Sequence, residues 1–443
     1  MPSRCCPSER LFVRHALFVS FHYPPDGSSS GVLRTLKYTR YLADQGWRAT
    51  VLCPDVTAYD VTDEALMRQV PPAVRVMRTR YWNTKRHLSV KGRYSALLAL
   101  PDVWVGWLPW ALAAGKRIGH EDPVDVIYST SPPATAHVVA WLLSRQLKKP
   151  WVADFRDPWI EDPPEPGAPQ GAVFRMLDKW LERRVIERSS IVVATTANLT
   201  EQIAARYPAQ PREKFSTIPN GYDEADFAHL PLAVETASAS MTIVHAGNVN
   251  PHFRDPRPLF YALRVAADAG RIDLAKVRLR FLGAGSYAES AEIRQAVTQA
   301  RLEKSIEFIP RVAYAESLRA LAAADVLLLL QASEDTRSLV PAKLYEYLRL
   351  QKPVIALVLQ GETSNVLAAT GGGIAIDPND HGRLVEALSK LYDGWAQGSL
   401  HRERPNLAIV KRFDRRELTR ELAAIFEKLA ENVNPAPGAA RRS

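Results

Sequence analysis

The sequence is poor in cysteine and lacks any long apolar run, and each shortage removes a class of protein. Three cysteines, Cys5, Cys6 and Cys53, make neither a disulfide framework nor a paired metal motif, which points to a reducing compartment. Nowhere does an uninterrupted apolar run reach the roughly eighteen residues that a spanning helix needs. The nearest approach, Trp104 to Ala114, is short and bounded by Asp102 and Lys116. The polar start from Met1 to Arg10, and a run from Leu11 to Phe21 broken by Arg14 and His15, do not fit a secretory signal. They read as a tail entering a buried strand. What is present is 47% apolar residues without long polar tracts, the composition of an ordered globular protein. At 443 residues the chain exceeds what one core usually serves, so two domains are expected. A net charge of +9 admits nucleic acid, an anionic membrane surface or a phosphorylated small substrate as partner.

Strand-like and helix-like patterns alternate along the chain. Strands are expected at Ala16–Val19, Ala49–Cys53, Val124–Tyr128, Trp151–Asp154 and Ile191–Ala194, with helices at Val32–Gln45, Ala134–Gln146 and Phe174–Glu187. Gly46 is placed to cap the first helix. The pattern weakens after Phe227, through a small polar stretch from Leu230 to Ser240, and then restarts. Strands are expected at Thr242–Ala246, Val277–Leu282, Ile306–Phe308, Val326–Leu330, Val354–Ala356 and Gly373–Ile376. Helices fit between them at Pro258–Ala269, Tyr287–Ala300, Tyr314–Ala323 and Ala342–Leu350. This alternation predicts an α/β protein with two doubly wound parallel sheets. The expected domains are residues 1–225 and 226–412, then a terminal helix within 413–435 and a flexible tail at 436–443.

Ligands of open α/β sheets bind beyond the C-terminal strand ends, so the loops after strands carry the argument. Gly27 to Gly31 lies between the first strand and helix, where its backbone could approach a phosphate or serve only as a turn. It is neither a Walker loop nor Gly-x-Gly-x-x-Gly. Arg156 and Asp157 end another strand and suit acceptor hydroxyls, a phosphate or a salt-bridged loop end. His22 and His137 are near-neutral bases by type, or structural hydrogen-bonding residues, and Asp26 fits a turn. In the second half, Gly247 and Asn248 close a strand, and Arg254 and Arg257 precede a helix, placed to clamp a diphosphate. Gly283 and Gly285 close the next strand. Glu334 and Asp335 stand in the loop before Val340–Tyr347, where Lys343 and Glu346 share a helix face. That lysine suits a phosphate and that carboxylate a ribose diol, or the two form a surface ion pair.

Taken in order, several segments resemble the GT-B glycosyltransferases, in particular the retaining family 4 enzymes that build bacterial surface polysaccharides and glycoconjugates. They are Tyr23-Pro-Pro-Asp-Gly-Ser-Ser-Ser-Gly31 with Arg34, Ala153-Asp-Phe-Arg-Asp-Pro-Trp159 and Ile218-Pro-Asn-Gly-Tyr-Asp223. In the second half they are Val244-His-Ala-Gly-Asn248, Arg254-Asp-Pro-Arg257 and Pro341-Ala-Lys-Leu-Tyr-Glu-Tyr-Leu348 followed by Lys352-Pro-Val-Ile355. The resemblance implies two Rossmann-like domains facing across a cleft, with acceptor on the N-terminal one and nucleotide sugar on the C-terminal one. It implies that Glu346 holds the ribose of a UDP- or GDP-sugar, and that no metal or other cofactor is obligatory. The family's second glutamate, eight residues earlier, is Ser338 here, and the arginine usual after the first glycine of the second domain is Asn248. Arg254, Arg257 or Lys343 would then stabilise the departing diphosphate, as its developing negative charge requires. Asp157 or His137 would orient or deprotonate the acceptor, a glycan or a polyprenyl-diphosphate-linked sugar. The two departures leave an inactive binding subunit, or a GT-B nucleotide-sugar epimerase, as alternatives.

From Arg68 to Arg93 the chain holds eight arginines and lysines and no acid, followed by Trp104, Trp107 and Trp110. Residues 68–110 fit a peripheral contact with an anionic membrane, placing the protein in the cytoplasm, on the inner face. The same residues fit a solvated basic insertion over a buried aromatic helix. Without a recognition module they do not argue for nucleic acid.

Overall fold

The computed structural model describes residues 14–28, 31–89, 91, 94–160, 171–228, 230, 239–400 and 404–433. Cys5, Cys6, the tail at 436–443 and most of the polar stretch after Leu230 lie outside the described residues. The chain forms two compact units. One holds the chain up to Thr195, Leu199–Ile218 and everything from Leu418 onward; the other holds Thr196–Asn198 and Pro219–Glu417.

The first unit is built on β1 (Arg14–Ser20), β2 (Trp47–Pro54), β3 (Arg75–Thr79), β4 (Val126–Ser131), β5 (Trp151–Phe155), β6 (Ile191–Ala194) and β7 (Phe215–Thr217). All pair in parallel, in the order β3-β2-β1-β4-β5-β6-β7. The second unit has β8 (Met241–Ala246), β9 (Val277–Leu282), β10 (Ile306–Ile309), β11 (Val326–Gln331), β12 (Val354–Val358) and β13 (Gly373–Ile376). They are again all parallel, in the order β10-β9-β8-β11-β12-β13. Each sheet therefore reverses its winding once, between β1 and β4 and between β8 and β11. Such a reversal opens a crevice at the C-terminal strand ends, the usual ligand site of doubly wound sheets.

The strands form where apolar runs can be covered on both faces. Val-Leu-Leu-Leu-Leu-Gln of β11 is buried at every residue, with Leu328 and Leu330 in one core layer and Leu327 and Leu329 in the other. The helix Arg257–Asp268 buries Leu259, Phe260, Leu263 and Ala266, a helical spacing that lays one stripe on the sheet. Gly46 ends the first helical stretch in the left-handed region, at φ 76°, as a C-cap requires. The terminal helix, Arg415–Val433, adds Leu418, Leu422 and Phe426 to the core of the first unit.

Two elements in the basic, tryptophan-rich segment escape a reading by periodicity. Edge strand β3 is Arg-Val-Met-Arg-Thr; Val76 packs towards one core layer and Met77 towards the other. An edge strand needs no continuous apolar run, so its arginines do not prevent pairing. The apolar stretch near Trp104 becomes the helix Leu108–Glu121, which buries Ala111, Ala114, Gly115 and Ile118. Trp107 is wholly buried in the first unit's core and donates from Nε1 to Thr79 Oγ1 at 2.7 Å. Among the described residues, no helix is long and apolar enough to cross a membrane.

Candidate active site

In the second unit the winding reverses between β8 and β11, and the loops that leave these two strands bring the predicted residues together. After β8 the backbone turns at Gly247, whose φ of 125° is a conformation that side chains rarely tolerate. A Cβ there would collide with the Lys343 ammonium. Lys343, in the first turn of the helix Ala342–Arg349 that follows β11, reaches across to donate to the Ala246 carbonyl at 2.5 Å. Its pKa is pushed down to about 7, chiefly by burial and then by the nearby Arg254 charge, with Glu346 opposing. The Arg254 guanidinium lies over the Phe253 ring at 4.9 Å, and burial lowers its pKa. No carboxylate forms an ion pair with Lys343 or Arg254 among the described residues. Two half-buried cations near each other, with no carboxylate paired to either among the described residues, are an arrangement able to hold a negatively charged group.

Arg257 differs. It makes three hydrogen bonds of 2.7–2.9 Å to the Asp255 carboxylate two residues earlier, so its charge is already matched. The geometry thus ranks Arg254 and Lys343 above Arg257 as anion contacts. Arg-Asp-Pro-Arg carried that signal in its acid. His245, the β8 residue before Ala246, is fully buried, and its Nδ1 bonds to the Leu328 carbonyl at 3.0 Å. Burial, with Lys343 and Arg254 adding to it, drives its pKa to about 3 and keeps the ring neutral.

Glu346, one turn along the helix from Lys343, does not pair with it. Its Oε1 accepts from Tyr314 Oη at 2.7 Å, and Tyr314 also lies 3.5 Å from an Asp226 oxygen. Burial raises the Glu346 pKa, Tyr314 opposes this, and Asp226 adds to the rise. The surface ion pair that the sequence left open does not form. Tyr314 and Asp226 were missed by sequence reasoning, since one begins a helix and the other precedes the whole second sheet. Tyr314 follows β10 closely, and attention to post-strand positions could have found it. Gly283 and Gly285 hold the turn after β9 with φ of 69° and 77°. A Cβ on Gly285 would come within 3.1 Å of Asn248 Oδ1, so the loops after β8 and β9 are in contact there. Ser338 is buried at 6% exposure, whereas Glu334 is exposed and paired with Arg337 at 2.6 Å. Among the described residues, no cluster of His, Cys, Asp and Glu is arranged to hold a metal ion.

The first unit gathers its predicted residues around the reversal between β1 and β4. Asp154, next to the C-terminal end of β5, is fully buried and takes a two-pronged contact from Arg34, at 2.7 and 2.9 Å, and a further bond from Tyr128. Arg156 donates from Nε to the Ser131 carbonyl at 2.9 Å and from Nη2 to Pro132, and its guanidinium fills the space a Gly31 side chain would take. Gly27 is pinned by its amide to the Val61 carbonyl at 2.9 Å, with Asp63 packed beside it. Asp157 has an exposed side chain, and desolvation by its surroundings still raises its carboxyl, against Arg156. His137 is wholly buried, with Nδ1 bonded to Ser129 Oγ at 2.8 Å and Nε2 to Ser131 Oγ at 2.9 Å. Burial holds it neutral, at about 3. Both nitrogens are engaged inside the core, the surroundings of a structural histidine.

Two doubly wound sheets of this strand order, each with polar loops at its reversal, define the GT-B fold. Residues 31–221 match the glycosyl transferase 4-like domain, and residues 240–394 match the glycosyl transferases group 1 family. The chain is a GT-B glycosyltransferase related to these two families. No curated protein matches the sequence. Among solved structures, Anabaena HepE in complex with UDP and glucose is 17% identical, with TM-score 0.64 over 94% of this chain and 100% of that one. A glycosyltransferase from Rickettsia africae is 13% identical, with TM-score 0.64 over 95% of this chain and 99% of that one. Sucrose-phosphate synthase from Thermosynechococcus elongatus is 17% identical, with TM-score 0.61 over 94% and 99%. At these identities the likeness is one of fold.

Proposed function

We propose that the protein is a retaining glycosyltransferase that moves a sugar from a UDP- or GDP-sugar to a glycan or polyprenyl-diphosphate-linked acceptor in surface polysaccharide synthesis. The second unit binds the donor and the first the acceptor. The observation that carries this reading is the pair of unmatched cations, Arg254 and Lys343, set around Gly247 at the sheet reversal. When the sugar–phosphate bond breaks, negative charge grows on the diphosphate, and fixed cations in a desolvated site stabilise it. Glu346, oriented by Tyr314, has a second oxygen with which to accept from a ribose diol. HepE, whose structure holds UDP, supports a uridine donor by analogy of fold.

The test is a thermal-shift series with UDP-glucose, UDP-galactose, UDP-N-acetylglucosamine and GDP-mannose, followed by nucleotide release and the anomeric configuration of the product. At least one nucleotide sugar raises the unfolding temperature, and Glu346→Ala weakens that shift. No shift with any of them would overturn the donor reading. Binding with no turnover on lipid-linked acceptors would favour the inactive subunit suggested by Ser338 and Asn248.

We also infer peripheral attachment to an anionic membrane through the segment at 80–98. Trp82, Leu97 and Leu98 are more than half exposed, and Arg80 and Lys85 are exposed near them in the chain. Arg75 and Arg86 contribute less net attraction, since Glu121 and Asp60 pair with them. Flotation with phosphatidylglycerol vesicles, but not with phosphatidylcholine vesicles, is the expected outcome; equal behaviour with both would sink it.

A further inference from the structure

A second group of cations in the second unit lies at the opposite end of its sheet from Lys343 and Arg254. The helix Tyr314–Ala322 carries the chain from β10 to β11 across β9 and β8. It has nine residues, about 13 Å of length, and shares a core layer with Val244 of β8 and Leu282 of β9 through Leu318 and Leu321. Residues two apart on a strand share a face, so Thr242 of β8 and Arg278 and Arg280 of β9 continue that face towards the N-terminal strand ends. The helix leaves them open. What remains is a groove of about 460 Å³ floored by these three residues, with Lys304 just before β10, Glu307 within it, and Ala320 on the helix side.

The lining has three cations and one acid. Glu307 accepts from Arg280 Nε at 2.8 Å, which matches one charge and leaves the second carboxylate oxygen able to accept from a hydroxyl. Among the described residues Arg278 meets carbonyls alone, with Nη1 at 3.2 to 3.5 Å from those of Val277, Lys304 and Ala275. Neither Arg278 nor Lys304 pairs with a carboxylate there, and both side chains are exposed. Two edges of the guanidinium fork and an ammonium are thus left for an anion, and phosphate suits both. Thr242 and Ser305 add hydroxyls. No aromatic ring stands among the lining residues, so the groove has no platform on which a nucleobase could stack. Its volume falls within the roughly 300–1,000 Å³ of small-molecule sites.

We propose that this groove is a second ligand site and that it binds a sugar phosphate monoester. Arg278 and Lys304 hold the phosphate, while the free Glu307 oxygen and the Thr242 hydroxyl meet the hydroxyls of the sugar. The site is separate from the one around Gly247. Thr242 stands near the start of β8 and Gly247 just past its end, roughly 16 Å apart by the rise of a strand. Lys343 and Arg254 therefore take no part in it. The proposal goes beyond the glycosyltransferase reading and does not rest on it, since a ligand held here lies away from the transfer site.

The experiment is calorimetric titration of glucose 1-phosphate into the full chain at about pH 7.5, where a phosphate monoester is mostly dianionic, with UMP titrated in parallel. The wild type binds glucose 1-phosphate with a Kd below about 1 mM. Arg278→Ala and Lys304→Ala each weaken that binding about tenfold, the loss of one hydrogen bond to a charged group. Arg254→Ala, at the other end of the sheet, leaves it within about twofold of wild type. Both groove substitutions are at exposed side chains, and unfolding temperatures measured without ligand verify that the fold is kept. No heat from glucose 1-phosphate up to about 10 mM in the wild type would overturn the proposal. Binding that survives both groove variants but is lost in Arg254→Ala would do the same, because the sugar phosphate would then sit at the diphosphate site. UMP bound more tightly than glucose 1-phosphate, and released by Arg278→Ala, would defeat the assignment to a sugar. Each of these results leaves the transferase reading standing, since that reading is tested by the nucleotide-sugar shifts.

Discussion

Two pairs of cations can be compared, Arg34 with Arg156 in the first unit and Lys343 with Arg254 in the second, and the two units treat them differently. In the first, Arg34 is matched by the Asp154 carboxylate, and the Arg156 guanidinium is bonded to the Ser131 and Pro132 carbonyls. In the second, among the described residues, the Lys343 ammonium bonds to one carbonyl and the Arg254 guanidinium lies over an aromatic face. The first arrangement is complete without a ligand and holds strand ends together. Burial lowers the pKa of Arg156 in the first unit and of both cations in the second, and under the proposed function an anion completes the second. Burial of charge by itself does not mark a ligand site; what singles out the second pair is the lack of both a counter-charge and several hydrogen-bond partners.

The largest expected effect breaks the complete side. Arg34→Ala leaves Asp154 at 0% exposure with only hydroxyl partners, which costs about 3–5 kcal/mol of stability. Urea unfolding would show it as a lower midpoint for the first unit. Arg254→Ala, by contrast, removes an uncompensated charge and moves the midpoint by no more than about 0.5 kcal/mol. Equal losses for the two would erase the distinction between them.

Next in size is the effect on transfer. Arg254→Ala and Lys343→Ala each lower turnover of the nucleotide sugar by about 100- to 1000-fold, the range for losing one stabiliser of developing negative charge. Arg257→Ala, whose guanidinium is already held by Asp255, costs much less. If Arg257→Ala were the most damaging of the three in steady-state kinetics, the ranking by ion pairing would be wrong.

A smaller effect separates two glycines that look alike in sequence. Gly46 and Gly247 both have positive φ, at 76° and 125°. Alanine at Gly46 meets nothing within 4 Å, so it costs only backbone strain of about 1 kcal/mol. Alanine at Gly247 costs about 1–3 kcal/mol and also displaces the Lys343 ammonium. Thermal shifts should therefore show Gly46→Ala with full response to the nucleotide sugar and Gly247→Ala with a reduced one.

The same contrast explains how far the sequence could be read. The buried parallel strands were legible because runs such as Val326–Leu330 have one physical use, coverage on both faces. Ile191–Ala194, Val277–Leu282 and Gly373–Ile376 coincide with strands to the residue. Lys343 and Glu346 were legible as neighbours on a helix that follows such a strand. What was not legible was who else they meet. Tyr314 reaches Glu346 from 32 residues away, and Arg34 reaches Asp154 from 120, separations that no local pattern encodes. Edge strand β3 hid among arginines because a covered edge requires only alternate apolar residues. The short strand Phe215–Thr217 and the helix His381–Ala396 were missed as well, the latter although it buries Leu384, Leu388 and Leu391 at helical spacing.

The smallest expected effect concerns pH, and it probes the incomplete side directly. Lys343 has a pKa of about 7 while no anion is bound. A bound diphosphate favours its charged form and raises that pKa, so binding is linked to proton uptake. Below pH 7 the ammonium is already protonated and affinity is constant. Above it, each bound ligand must bring a proton with it, and the association constant falls by up to about tenfold per pH unit, or about 1.4 kcal/mol. A nucleotide sugar is the proper probe, since its diphosphate diester does not itself titrate in this range. Calorimetry at pH 8 in two buffers of different ionisation enthalpy should report uptake approaching one proton, and Lys343→Ala should abolish it. Affinity of the wild type that is level from pH 6 to pH 9 would mean that Lys343 stays charged in the free protein, and the second unit would then hold its cations as comfortably as the first.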